Sequence, residues 1–143
     1  MMEMNGIIDR YSHEGEGYDP FLIGPKWQVA FLNYAPAEAL EAIDKLDVHY
    51  LTDEVFLLTR GRAVLIAARI DGDEVDFETI DMQPGVTYNI RRDVWHKIAM
   101  DPGSQVLIVE DSDTHKGDFE FYDLSNAQKE QLRSQVKTLI QKR

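Results

Sequence analysis

Short apolar runs, cut at close intervals by glycine, proline and aspartate, fill the middle of the chain. They span residues 54 to 60, 62 to 70, 75 to 82, 86 to 91, 94 to 100 and 105 to 110. Turn signals stand between them at Gly61, Asp71-Gly72-Asp73, Pro84-Gly85 and Asp101-Pro102-Gly103. Strands and turns at this rhythm predict an all-β sandwich or barrel. Upstream, Lys26 to Tyr34 is rich in aromatic and β-branched residues and predicts a strand buried on both sides.

The period changes at two places. Pro36 suits a first helical turn, and Leu40 and Ile43 follow on one side with Leu46 beyond, so residues 36 to 45 are expected to form a short amphipathic helix. Residues 125 to 143 carry the clearest helical pattern. Ser125 and Gln128 have the spacing of a capping box, and Leu132, Val136, Leu139 and Ile140 make one apolar stripe. That stripe suits either a sheet face or edge of its own chain or a second subunit. Residues 1 to 25 are Gly-rich and predict an irregular arm. The chain thus divides into an arm (1–25), a β-barrel domain (26–124) and a C-terminal amphipathic helix (125–143).

Composition narrows the partners. A chain of 143 residues with 43% hydrophobic residues fits one domain with a single core. The formal net charge of −11 argues against a nucleic-acid partner, which requires a basic patch. The absence of cysteine excludes disulfides, thiolate catalysis and sulfur-bound zinc, so any metal must take nitrogen and oxygen ligands. The N-terminus lacks a basic segment followed by an apolar one, and no apolar run approaches the ~20 residues of a membrane span. No membrane association and a cytoplasmic location are expected.

The candidate chemistry lies in His49-Tyr-Leu-Thr-Asp-Glu54-Val-Phe-Leu-Leu-Thr-Arg-Gly61. Alternation along a strand puts Asp47 and His49 on one face, while Gly61 ends the next run where the chain must reverse. A second histidine, His96, sits on a later strand-like run. This segment resembles the first motif of the cupin superfamily, G-x5-H-x-H-x3,4-E-x6-G: Glu54 to Gly61 reproduces its E-x6-G part and His49 fits its second histidine. Asp47 stands where the first histidine is expected, and Glu41 where the leading glycine would be. The second motif, G-x5-P-x-G-x2-H-x3-N, lies over Gly85 to Met100. Gly85 and His96 match it, whereas Arg91, Asp93 and Met100 replace its proline, glycine and asparagine.

The resemblance implies a cupin-type double-stranded β-helix, a jelly-roll barrel with a short helix before the first motif and a helix at the C-terminus. It also implies that His49, Glu54 and His96, with Asp47 as a fourth and harder ligand, converge inside the barrel on a divalent metal. Two imidazoles and a carboxylate with open positions suit Fe(II), and Mn or Zn would accept them. Glu54 is the candidate catalytic group, since it can also work with His96 as an acid/base pair without an ion.

Structural roles compete with each of these assignments. Either histidine can be a core or rim residue bonded to backbone, Asp47 can be a solvated residue ending the preceding helix, and Glu54 can pair with Arg60, Arg62, Arg91 or Arg92. Asp53 should face away from Glu54, and His13 and His115 are expected at the surface. Trp27, Tyr88 and Trp95 are expected in the core, with Tyr88 and Asn89 able to support a ligating histidine or orient a substrate.

Two functions follow. One is a metal-dependent cupin enzyme, an isomerase, lyase or oxygenase, acting on a sugar, keto acid or other carboxylate, with the metal polarising a substrate oxygen. The other is a non-catalytic small-molecule-binding or sensing cupin. The enzyme is favoured because no helix-turn-helix segment, usual in regulators built on this barrel, is appended. Open strand edges make a homodimer the expected assembly.

Overall fold

Period-two alternation sorts the side chains of this protein onto two sheets that face each other across a shared interior. The computed structural model describes residues 2–143. Its elements in chain order are β1 (Met2–Asn5), β2 (Ile8–Tyr11), β3 (Gly17–Ile23), β4 (Trp27–Asn33), β5 (Lys45–Val48), β6 (Glu54–Arg60), β7 (Ala63–Asp71), β8 (Glu74–Asp81), β9 (Thr87–Ile90), β10 (Trp95–Met100), β11 (Gln105–Asp111), α1 (Thr114–Gly117), β12 (Glu120–Asp123) and α2 (Asn126–Ile140). One sheet runs β12-β5-β10-β7-β8 and the other β3-β4-β11-β6-β9, while β1 and β2 form a separate hairpin. Every pairing is antiparallel, as a jelly roll requires.

Two cores result. Between the sheets lie Leu32, Phe56, Ile98, Val106 and Ile108. On the outer face of the first sheet, Leu46, Val64, Ile66 and Phe77 meet Leu132 and Val136 of α2. β7 serves both: Ala63 and Leu65 point inward, Val64 and Ile66 outward beneath the helix. Burial on both faces explains why its sequence is a continuous apolar run with no alternation.

α2 therefore covers its own chain. Its capping box forms as expected, with Ser125 Oγ accepting from the Gln128 amide at 3.2 Å and Gln128 Oε1 accepting from the Ser125 amide at 2.8 Å. Three glutamines on the same helix also reach the edge strand β8. The side-chain amides of Gln128, Gln131 and Gln135 donate to the carbonyls of Asp73, Val75 and Phe77 at 2.9, 3.0 and 2.8 Å. These bonds satisfy edge acceptors that would otherwise be open to another strand.

Three expectations need correction. Residues 36 to 45 form two short 3₁₀ turns, Pro36–Glu38 and Leu40–Ala42, and the chain is already in β5 at Lys45. Neither turn has a side-chain cap, and a segment this short gains little as an α-helix. The N-terminal segment is not irregular: β3 pairs with β4, and Phe21 stacks on Phe31 with ring centroids 4.9 Å apart. β4 buries only one face fully, through Gln28, Ala30 and Leu32; Val29 and Phe31 are half-buried and Trp27 is exposed.

Candidate metal centre

The residues of the first motif reach a common point because β5 and β6 belong to opposite sheets. His49 directly follows β5, Glu54 opens β6, and His96 lies on β10 beside β5. The inward parity of β6 carries Glu54, Phe56 and Leu58, and that of β10 carries His96, Ile98 and Met100. Glu54 and His96 are buried and His49 half-buried. Ligand atoms of His49, Glu54 and His96 all lie within 4.8 Å of one another.

The hydrogen bonds behind the imidazoles decide what these atoms are. His49 Nδ1 stands 2.6 Å from the carbonyl oxygen of Asp118, and His96 Nδ1 stands 2.9 Å from that of Val94. A carbonyl can only accept, so both Nδ1 atoms carry the proton, and in the neutral rings both Nε2 atoms present lone pairs. Those lone pairs face a single carboxylate atom, Glu54 Oε1, at 3.1 and 2.9 Å. Three electron-rich atoms converging in a buried place require a cation among them, either protons on the rings or a metal ion. The donor set, two imidazole nitrogens and a carboxylate oxygen, fits a divalent transition metal.

With protons in that role, the cluster becomes a strong charge-assisted group. Burial works against the charged form of each ring, and the hydrogen bonds and charge of Glu54 outweigh it, raising His49 to about 9 and moving His96 upward too. Burial likewise opposes ionisation of Glu54, but the two histidines overcome it and hold the carboxyl near about 2. The arginine partners considered for Glu54 are not its partners here; the histidines are.

Asp47 stands apart from the three. It shares the inward face with His49 and lies opposite His96 in the ladder, but Lys97 Nζ takes its Oδ2 at 3.6 Å. Asp47 Oδ1 is buried with no hydrogen-bond partner among the described residues, and Asp47 is not one of the three residues whose ligand atoms converge. Tyr88 and Asn89 do not support the histidines either: Tyr88 accepts from the Gln83 amide and Asn89 donates to Asp53. The imidazoles are oriented by backbone carbonyls, which no residue-type signal could announce. His13 bonds to Gly17, away from the cluster, and Trp95 packs edge-on against Tyr122 on the outer side.

Sequence reasoning missed the opposite wall. Glu110 on β11 is the direct ladder partner of Glu54, and its Oε1 accepts from Tyr18 Oη at 2.8 Å and Gln28 Nε2 at 3.1 Å. Gln28 also reaches His115 Nδ1 at 3.1 Å, drawing in a histidine expected at the surface. Burial, then the charge of Glu54, pushes the Glu110 carboxyl up to about 7. Glu110 shares the parity of Val106 and Ile108, so the reasoning that singles out Glu54 at the head of an apolar face applied equally to an acid at its end. Both walls border one cavity of about 270 Å³, with Phe119 and Phe121 also lining it.

No protein-family profile matches the chain, and no curated protein does. Among solved structures it is similar to a 3,4-ketoisomerase from Helicobacter canadensis, with a TM-score of 0.50, 9% identity, and 64% of this chain and 65% of that one covered. It is also similar to a cupin-2 domain containing protein from Shewanella frigidimarina (TM-score 0.47, 19% identity, 68% and 82% covered). KdgF from Halomonas sp. gives a TM-score of 0.48 at 12% identity, with 69% and 82% covered. Two facing antiparallel sheets of five strands, with the histidine and glutamate cluster between them, make this an all-β protein of the cupin fold.

Proposed function

We propose that this protein is a metal-dependent cupin enzyme acting on a small polar metabolite, a sugar, keto acid or other carboxylate, held in the cavity between the two sheets. The observation that carries this reading is the convergence of two Nε2 lone pairs and one glutamate oxygen, with both Nδ1 protons committed to carbonyls. His49, Glu54 and His96 would hold the ion, and a bound divalent metal supplies Lewis-acid polarisation of a substrate oxygen. The chain's own groups set the rest. The Asp118 and Val94 carbonyls fix the imidazoles, Phe56 and Ile98 keep the inner wall dry, and Lys97 and Asp47 give the cavity a paired charge beside the cluster.

The test is metal content. Protein prepared without chelator should carry close to one divalent ion per chain, and His49→Ala and His96→Ala should each lose it, by more than about tenfold in affinity, with the fold retained. Metal-free protein of unchanged stability would favour the alternative, a small-molecule-binding cupin without catalysis. The mostly apolar cavity lining, with Leu32, Phe56, Ile98 and Ile108, supports that second reading.

A further inference from the structure

Two phenylalanine rings stand at the edge of the cavity with much of their surface uncovered. Phe119 and Phe121 are 39% and 51% exposed, their centroids lie 5.3 Å apart, and both line the cavity that also holds His49, Glu54 and His96. Alternation along β12 accounts for their direction. Tyr122 turns outward to meet Trp95, so Phe121 on β12 and Phe119 just before it turn inward. Phe121 faces Asp47 in the β12–β5 ladder and Asp47 faces His96 in the β5–β10 ladder, which sets ring, carboxylate and imidazole in one row. Two strand spacings put the backbone of Phe121 about 10 Å from that of His96.

The rings are exposed but held. The Asp118 carboxylate accepts from the amides of Tyr50 and Leu51 at 2.9 and 3.0 Å, and the Asp118 carbonyl accepts from His49 Nδ1. The segment that carries the phenylalanines is thereby tied to the one that carries the histidine. Lys45 Nζ lies 4.1 Å from the centroid of the Phe121 ring and steadies it further. An apolar surface fixed in place before a ligand arrives loses little freedom when it is covered.

We propose that Phe119 and Phe121 form a platform for an apolar ring, so that the ligand of this cavity is an aryl-substituted small molecule whose polar end reaches His49, Glu54 and His96. This rests on the reading of the cavity as the ligand site, and it narrows the class of molecule that enters.

Two further observations support it. The cavity volume of about 270 Å³ is about nine times the share of one water molecule in the liquid, which suits a ring with a short polar arm better than a three-carbon metabolite. Leu32, Phe56, Ile98 and Ile108 continue the apolar lining inward from the two rings. A wholly polar ligand would press part of its surface on them with no hydrogen bond in return, whereas an aryl group gains there.

The test compares ligands in pairs that share a polar end and differ by the ring. One pair is phenylpyruvate and pyruvate, and the other, uncharged, is 3-phenylpropane-1,2-diol and propane-1,2-diol. The charge of a metal ion or of protonated imidazoles acts alike on both members of a pair, so their ratio reads the ring alone. Affinities are measured by ligand-observed saturation transfer on the protein as purified.

The expected result is a preference for the phenyl member of about tenfold or more. The Phe119→Ala and Phe121→Ala double variant should bring the ratio to within about threefold of one, and the Phe119→Tyr and Phe121→Tyr double variant, which keeps both rings, should retain the preference. Binding with no gain from the ring, or a gain that the alanine variant leaves unmoved, overturns the proposal and leaves the cavity reading in place. Absence of binding by all four compounds overturns the cavity reading and the proposal with it.

Discussion

A histidine whose Nδ1 proton is committed to a carbonyl has only its Nε2 lone pair to offer, and here two such lone pairs meet at one glutamate oxygen. Without a metal, protons must fill the gap, and this sets a pH dependence. His49 and His96 are raised above the ordinary histidine value of 6.5, so their contribution to stability is whole below that value and is lost as pH rises, through about 9 for His49. Glu54, lowered from 4.5 to about 2, contributes above 4.5 and loses its contribution as pH falls through about 2. The metal-free protein should therefore draw most stability from this cluster between about pH 4.5 and 6.5, with the urea midpoint falling toward pH 9. Metal-loaded protein should lack the alkaline decline, because the ion keeps the rings occupied without protons.

At the same scale, Gly61 shows how a single backbone position holds the motif in shape. Its φ is +79°, and a Cβ there would lie 2.6 Å from Ser104 Cα, which is backbone and cannot swing aside. Ser104 Oγ in turn accepts from the Arg62 amide and donates to the Arg62 carbonyl, both at 2.8 Å, joining the 60–62 turn to β11. Gly61→Ala should cost about 2–4 kcal/mol in chemical denaturation, from the left-handed backbone plus the collision. His49, Glu54, His96 and Gly61 were legible in the sequence because each is a distinctive residue type at a fixed interval. The pairing of Asp47 with Lys97 was not legible, because Lys97 lies 50 positions away and meets it only through the β5–β10 ladder.

Among the elements, β6 to β11 and α2 were predicted nearly to their ends, since alternation, turn residues and a capping box are local signals. β1, β2, β3, β12 and α1 were not. β3 begins in a Gly-rich stretch and its partner β4 decides its state, and the four residues of β12 gain order from pairing with β5. The stripe on α2 left its own sheet and a second subunit equally open, and contacts with Val64, Ile66 and Phe77 resolve that choice in favour of its own chain. Removing residues 125 to 143 should expose that outer face together with the β8 edge. Aggregated protein, measured as loss of the soluble fraction and of the monomer-sized scattering species, is the expected outcome. A soluble, folded truncation would mean that the helix is dispensable to the barrel.

At the scale of the whole molecule, the two five-stranded sheets are held together mainly by side chains packed between them, and among the described residues no hydrogen-bonded ladder joins a strand of one sheet to a strand of the other. The barrel was readable as a class because a jelly roll is a rhythm of short strands; the allocation of strands to sheets depends on register between distant segments. His49, directly after β5, and His96 on β10 stand on the side of one sheet, and Glu54 opens β6 of the other. An ion shared by all three would work as a clasp across the seam at one end of the roll. Loading it should slow amide exchange at the start of β6 and in β10 far more than at β8, which lies beneath α2, and chelation should release that protection. Uniform protection along both sheets would mean that the ends were never free to part, and that the seam stays shut by packing alone.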